Sequence, residues 1–357
     1  MSNEKRRPPI VGRYTQEELA LASRNSGMPL EALRYDLTPV GLHYLLIHFD
    51  IPAADAFAWR LRVEGLVSKP RAFSLAELQR MPASTVRVTM ECAGNGRAQI
   101  SPRYPSMPWT EEGVSTAEWT GVPLSLLLKN MKMAASAQEI VFHGADRGID
   151  RGIEHTFSRS LALAEALREG VLVAYAMNGQ PLAPQHGAPL RLVVPGWYGM
   201  ASVKWLERIE VIDRAFDGVQ QALSYHFRTE PGEKGVPCTR MRVNSLVAPP
   251  GIPDYYGRRR TVDTGPVEIL GRAWSGNAPI RRVEFAVDGQ WQDAILDAPV
   301  GAYAWRRWNA RWSAQRGAHE LRCRATDETG AVQPLEPAWD VTGFGNNAAQ
   351  RVEVNVR

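Results

Sequence analysis

Apolar and polar residues alternate in short stretches along most of this chain, and three helical patterns interrupt the alternation. Residues 59–63 (Trp59-Arg-Leu-Arg-Val63), 85–89 (Thr85-Val-Arg-Val-Thr89) and 139–142 (Glu139-Ile-Val-Phe142) have the period of half-buried strands. Between them, 74–79 and 124–129 read as helices, with Ser74 as an N-cap. Residues 160–169 also read as a helix, starting at Ser160 and stopping at Gly170. Leu190-Arg-Leu-Val-Val194 is a buried strand that follows an Asn-Gly turn. Ahead of all this, Thr15 and Glu18 form a capping box for a short helix over 15–22, within a surface arm over 1–37. After the Pro/Gly-rich hinge Pro249-Pro-Gly-Ile-Pro253 the rhythm changes. Residues 267–274, 282–287, 304–312, 320–325 and 352–356 are alternating strands separated by turns such as Asp288-Gly289, the pattern of an antiparallel β-sandwich. The expectation is an α+β fold: the arm over 1–37, a mixed α/β domain over 38–235, and a sandwich domain over 236–357.

Composition narrows the function class. At 357 residues the chain exceeds one ordinary core, and 44% hydrophobic residues with 11 tryptophans can fill two. The net charge of +4 is spread among acids, with no basic stripe, so a nucleic-acid partner is not expected. Arg258-Arg-Arg260 reads as a solvated loop. The 3 cysteines, Cys92, Cys238 and Cys323, make no disulfide framework and have no paired metal-ligand spacing, which suits a reducing compartment. Cys323 points into a sheet core by alternation, and Cys238 follows Pro237 in a loop, so both read as structural. Residues 1–13 are charged and contain no apolar run, so neither a signal peptide nor a membrane span is expected. The expected compartment is the cytoplasm, or the periplasm if a leader was removed.

The candidate chemistry starts at Cys92, in Thr89-Met-Glu-Cys-Ala-Gly-Asn-Gly-Arg97. A thiol at a strand end, entering a loop of small residues with an arginine five positions on, reads as a thiolate. The same residue also reads as a small buried hydrophobe. A second stretch of about thirty residues runs from Ala174 to Trp205 and includes Gln185-His-Gly-Ala-Pro-Leu-Arg191 and Gly199-Met-Ala-Ser-Val-Lys204. Both segments resemble the sulfite oxidase family, in which the loop cysteine ligates molybdenum. The second stretch there supplies a histidine, an arginine and a lysine to molybdopterin. The resemblance covers about 38–357, because 271–276, 302–308 and 339–347 look like that family's immunoglobulin-like dimerisation domain.

The resemblance implies molybdenum held by Cys92, with Arg97 turned toward the substrate face, where its planar fork suits an anion. It implies His186, Arg191 and Lys204 around the phosphate and pterin of molybdopterin, with charge-assisted donors in a fixed frame. Asn95 and the glycines Gly94 and Gly96 shape the loop, with Asn95 counted among the cofactor residues. His48 and Asp146 match pterin-side positions, Tyr225 a tyrosine near the reacting atoms, and Arg306 a second anion-binding arginine. His43 and His226 read as satisfied loop histidines. Two departures stand out. Leu46 occupies a position usually held by arginine, and the segment 101–107 has no lysine before Pro108-Trp109. A charge contact in such a pocket is worth about 1.5–3 kcal/mol, so the substrate stays open. The implied activity is two-electron oxo transfer, first of all sulfite oxidation to sulfate. Reduction of an S-oxide, or a non-catalytic cofactor-binding scaffold, remain alternatives. The chain has no Cys-x-x-Cys-His, so the implied electron partner is a separate carrier such as a cytochrome, and the implied assembly is a homodimer.

Overall fold

The computed structural model describes residues 14–357; the charged segment 1–13 lies outside the described residues. Strand Ser84–Glu91 is half-exposed at its start and fully buried over its last four residues, so it delivers the chain into the interior at Cys92. It pairs antiparallel with Val114–Pro123, which pairs with Leu172–Met177, and that strand pairs in turn with Arg191–Val193. The Cys92 loop and Arg191 therefore grow from one sheet. A second sheet has the order Arg71–Ser74, Arg60–Gly65, Leu206–Ile212, Glu139–Asp150, Ile153–Ala162. It brings Asp146 toward the chain at Lys204: the Ala145 N–H donates to the Trp205 carbonyl at 2.9 Å. The two sheets enclose a continuous core that includes Trp119, Phe142, Leu192 and Ile209.

Helices Gln16–Arg24 and Leu75–Arg80 both start with complete capping boxes, Thr15/Glu18 and Ser74/Glu77. The helix expected over 160–169 is reduced to one turn, Leu163–Ala166. Residues 160–162 instead finish strand Ile153–Ala162, where the pairing Glu139↔Ala162 continues the ladder from Phe142↔Arg159. Long-range pairing has overridden a local start signal.

The second domain is a sandwich of two sheets. One has the order Asn244–Val247, Gly265–Trp274, Arg306–Ala314, Ile295–Leu296, and the other is a six-stranded sheet that includes Ile280–Val287, Gly317–Asp327 and Arg351–Val356. Trp308, Phe285 and Cys323 are fully buried between them, so the inward reading of Cys323 holds. The segment 249–253 is not the hinge between domains, because the sandwich strand Asn244–Val247 precedes it and pairs with Gly265–Trp274.

The two domains share a core. Trp274 and Trp305 come from the sandwich domain and are buried in the cluster of the first domain. The Thr89 N–H donates to the Tyr303 carbonyl at 2.8 Å, and the Trp305 N–H donates to Thr89 Oγ1 at 2.7 Å.

The expected surface arm is built into this body. Met28, Ala32 and Leu33 are buried, and buried Arg272 donates to the Leu33 carbonyl at 2.8 Å while pairing with Asp36 at 2.9 Å. The 258–260 run is likewise tied down: Arg258 and Arg260 both pair with Glu31, and Arg259 pairs with Glu353 at 3.3 Å. Among the described residues no helix is long and apolar enough to cross a membrane.

Candidate active site

Cys92 lines two neighbouring cavities. The inner one has about 660 Å³ of empty space, open solvent included, and is lined by His43, His48, Cys92, Asp146, His186, Arg191, Lys204 and Tyr225, among others. The outer one, about 1190 Å³ with its open solvent included, is lined by Arg24, Cys92, Arg97, Tyr104, Met107, Trp109, Asp150, Arg151 and Phe344, among others. Leu46, His48, Cys92 and Tyr225 belong to both walls.

The loop that holds Cys92 is built from backbone hydrogen bonds. The Cys92 N–H donates to the Gly113 carbonyl at 2.8 Å and the Asn95 N–H to the Cys92 carbonyl at 2.9 Å. Gly96 is left-handed at φ +77, which favours glycine. A Cβ on Gly94 would lie 2.6 Å from the Arg97 guanidinium, so only glycine lets that side chain cross the loop. Arg97 is buried and donates through Nε to the Thr342 carbonyl at 2.7 Å and through a terminal nitrogen to the Met107 carbonyl at 3.1 Å. Its guanidinium carbon lies 5.0 Å from the Phe344 ring centroid. Burial pushes the Cys92 thiol up, while Arg97, the Gly94 N–H and Trp109 pull it down. The expected free thiolate is therefore a thiol in this environment, and a soft metal would deprotonate it outright.

The inner cavity concentrates cations. Arg191 donates to the His186 carbonyl at 3.0 Å and the Ser202 carbonyl at 3.2 Å, and lies 4.5 Å from the Trp119 ring centroid. Burial lowers it to about 10. Lys204 Nζ donates to the Leu46 carbonyl at 2.8 Å, and burial, with Arg191 adding to it, lowers the amine to about 7. Neither cation pairs with a carboxylate at ion-pair distance among the described residues. Burial also holds His186 down at about 4 and His43 and His48 at about 3, so all three imidazoles are neutral. Asp146 is raised to about 7 by burial, and its Oδ1 has no hydrogen-bond partner. His43 Nε2 is also unpartnered and buried.

These features fit molybdopterin. Two cations without a carboxylate partner suit a phosphate, and an orphaned carboxylate oxygen and imidazole nitrogen suit a heterocycle with N–H and N or O groups. Among the described residues no cluster of three metal-ligating side chains occurs, so a metal at Cys92 would arrive with its own donors.

The expected residues divide. Cys92, Arg97, Tyr225, His48, Asp146, His186, Arg191 and Lys204 come together on the cavity walls. Tyr225 has an uncommon positive φ of 51, its hydroxyl is hydrogen-bonded to His48 Nε2, and its ring stacks on Phe344 at 5.3 Å. Asn95 lines neither cavity. Its amide donates to Glu91 at 3.0 Å and accepts from the Gly113 N–H at 2.9 Å, so it holds the loop rather than a ligand. Arg306 also lines neither cavity. It donates to the Asp297 carbonyl at 2.7 Å and the Ile280 carbonyl at 2.8 Å, which holds it inside the sandwich and off both cavities.

Three residues escaped the sequence reading. His43 is a wall of the inner cavity rather than a satisfied loop histidine. Arg24 comes from the supposed surface arm. Glu91, next to Cys92, is pushed up to about 7 by burial and accepts from Asn95, Asn244 at 2.9 Å and Trp274 at 3.0 Å, which ties the loop to the second domain. A buried acid beside the cysteine was the only sequence signal for the last. His226 bonds its own turn at Ser224, as expected.

Two family models match the chain: the oxidoreductase molybdopterin binding domain over residues 48–220 and the Mo-co oxidoreductase dimerisation domain over 237–357. The mitochondrial sulfite oxidase of Macaca fascicularis is 32% identical over 93% of this chain and 64% of its own length. A nitrate reductase [NAD(P)H] of Hordeum vulgare is 32% identical over 93% of this chain and 41% of its own length. The chain thus spans less than two thirds of these relatives. The crystal structure of the sulfane dehydrogenase SoxCD from Paracoccus pantotrophus superposes with a TM-score of 0.80 at 26% identity, covering 100% of this chain and 95% of that one. Fold and site define a protein built from a molybdopterin-binding domain and an immunoglobulin-like Mo-co dimerisation domain. Within that class the chain belongs to the sulfite oxidase family, and its cofactor is molybdenum bound to molybdopterin.

Proposed function

We propose that the chain is a molybdenum-dependent oxidoreductase that oxidises sulfite or a related small oxyanion by two-electron oxo transfer and passes the electrons to a separate carrier. The observation that carries this reading is the position of Cys92, which lines both the cavity of His186, Arg191 and Lys204 and the cavity of Arg24, Arg97 and Arg151. The bound cofactor would supply the two-electron redox step. His186, Arg191 and Lys204 would hold its phosphate end, Asp146 and His43 its heterocycle, and Cys92 its metal. Arg97 would fix an anionic substrate, because two of its nitrogens are pinned on carbonyls and the guanidinium cannot swing away. Tyr225 keeps its proton, since burial raises the phenol, and His48 is neutral. The pair can therefore offer a hydrogen bond to a substrate oxygen without adding charge.

A second reading, reduction of an S-oxide, is favoured by one feature of the outer cavity. Leu21, Ile47, Phe49, Met107, Trp109 and Phe344 give it an apolar lining that a bare oxyanion does not need. We assign the cofactor-binding unit to 38–235, the dimerisation unit to 236–357, and the assembly to a homodimer through the latter. Sulfite-dependent reduction of an artificial electron acceptor by the molybdenum-loaded protein tests the function. Turnover with sulfite supports the first reading; oxidation of a reduced viologen by dimethyl sulfoxide, without sulfite turnover, replaces it with the second.

A further inference from the structure

The outer cavity is lined by three guanidinium groups, Arg24, Arg97 and Arg151, against the single carboxylate of Asp150. Arg97 sits at the inner end beside Cys92. Arg24 and Arg151 come from two elements outside the catalytic loop, the helix Gln16–Arg24 and the turn between strands Glu139–Asp150 and Ile153–Ala162. Both are exposed, and neither pairs with a carboxylate among the described residues. Asp150 is engaged by the Gln220 amide at 3.2 Å.

Helix Gln16–Arg24 is held in place at both ends. At its start Glu18 is buried and pairs with Arg103, in the segment whose next residues Tyr104, Pro105, Ser106 and Met107 form another wall of the cavity. At its end the buried Asn25 side chain donates to the Leu21 carbonyl at 2.9 Å and accepts from the Ile47 N–H at 2.6 Å, and Ser26 bridges to Leu45. Arg24 itself reaches the His48 carbonyl at 3.4 Å. The arm is thus clamped to the strand-like segment that carries His48, and Leu46 on that segment contributes only hydrocarbon to the wall.

We propose that Arg24 and Arg151 form an outer cationic pair that selects and steers oxyanions into the cavity toward Arg97, and that the N-terminal arm is a working wall of the substrate site. This rests on the reading that the outer cavity receives the substrate. Unpaired cations at the mouth of a low-dielectric cleft raise the local concentration of anions, and rim charges act on encounter and on salt dependence.

The test uses the molybdenum-loaded protein and the variants Arg24→Met, Arg151→Met, the double variant, and Arg24→Lys as a charge-preserving control. In low salt, kcat/KM for sulfite should fall roughly tenfold in the double variant, with the loss falling on KM; the gap should close as ionic strength rises, because a surface field is screened over about 8 Å at physiological salt. Arg24→Lys should retain most of the wild-type value. Sulfate binding, followed by calorimetry, should weaken by a similar factor. If the protein does not oxidise sulfite but sulfate binding still depends on Arg24 and Arg151, the cationic pair stands and the sulfite reading falls. Unchanged salt dependence and unchanged sulfate affinity in the double variant, or no sulfate binding to the parent protein, would overturn the proposal.

Discussion

Lys204→Met should make the cofactor-free protein more stable while weakening its hold on the cofactor. Lys204 is half-buried, and burial and Arg191 lower its ammonium from an ordinary 10.5 to about 7, with only Asp146 pulling the other way. At about 1.4 kcal/mol per tenfold, the charged form costs at most roughly 5 kcal/mol at pH 6. Solvent screening and the hydrogen bond to Leu46 bring a realistic figure to about 2–3 kcal/mol. The sign follows from proton binding. Below about pH 7 both folded and unfolded chains hold the proton, so the whole cost is present. Between there and 10.5 only the unfolded chain holds it, so stability rises with pH and the cost fades. Methionine removes this cost. The apo variant should therefore melt roughly 5 °C above the parent at pH 6, with a gain below half as large at pH 9. Its molybdopterin content after expression should fall by at least tenfold, since a phosphate loses a charge-assisted donor. Thermal melts of apo protein at the two pH values, with pterin quantified by fluorescence, provide the check. A variant that is less stable at both pH values and fully loaded would refute the assignment of Lys204 to a ligand.

Gly94→Ala should displace the Arg97 guanidinium, which would lie 2.6 Å from the new Cβ; the sulfite KM should rise roughly tenfold or more, with molybdenum content unchanged. Steady-state kinetics with metal analysis would show this, and an unchanged KM would mean that Arg97 does not hold the anion. Arg306→Met leaves the Asp297 and Ile280 carbonyls without their donor and should cost about 1–3 kcal/mol in denaturant unfolding. Its effect on KM should be equal for sulfite and for a neutral S-oxide, and a selective loss with sulfite would return Arg306 to the site.

Much of this site is legible in the sequence because two of its parts are local. The strand-to-loop transition at Cys92 follows from alternation ending in small residues, and His186, Arg191 and Lys204 fall within one short stretch. What is not legible is where side chains go once long-range contacts form. Arg306 has the right chemistry, but two sandwich carbonyls hold it away from both cavities. Asn95 stands beside the cysteine, yet its amide braces Glu91 and Gly113. Arg24 lies in a segment whose polar surface suggests a loose arm, and only the buried Glu18–Arg103 pair and the Asn25 clamp put it at the mouth. The helix expected after Ser160 failed for the same reason. Pairing with residues 139–143 outweighs a local capping signal, and the ladder continues to Ala162.

The central claim is that Cys92 is the protein's ligand to molybdenum at the junction of the two cavities. X-ray absorption at the molybdenum edge, on the loaded protein and on Cys92→Ser at matched metal content, tests it most directly. The account predicts about one molybdenum per chain in both proteins. It also predicts one fewer sulfur neighbour in the variant together with loss of turnover, because a hard, protonated hydroxyl replaces a soft thiolate. Identical sulfur coordination in the two proteins, or wild-type turnover in the variant, would contradict it.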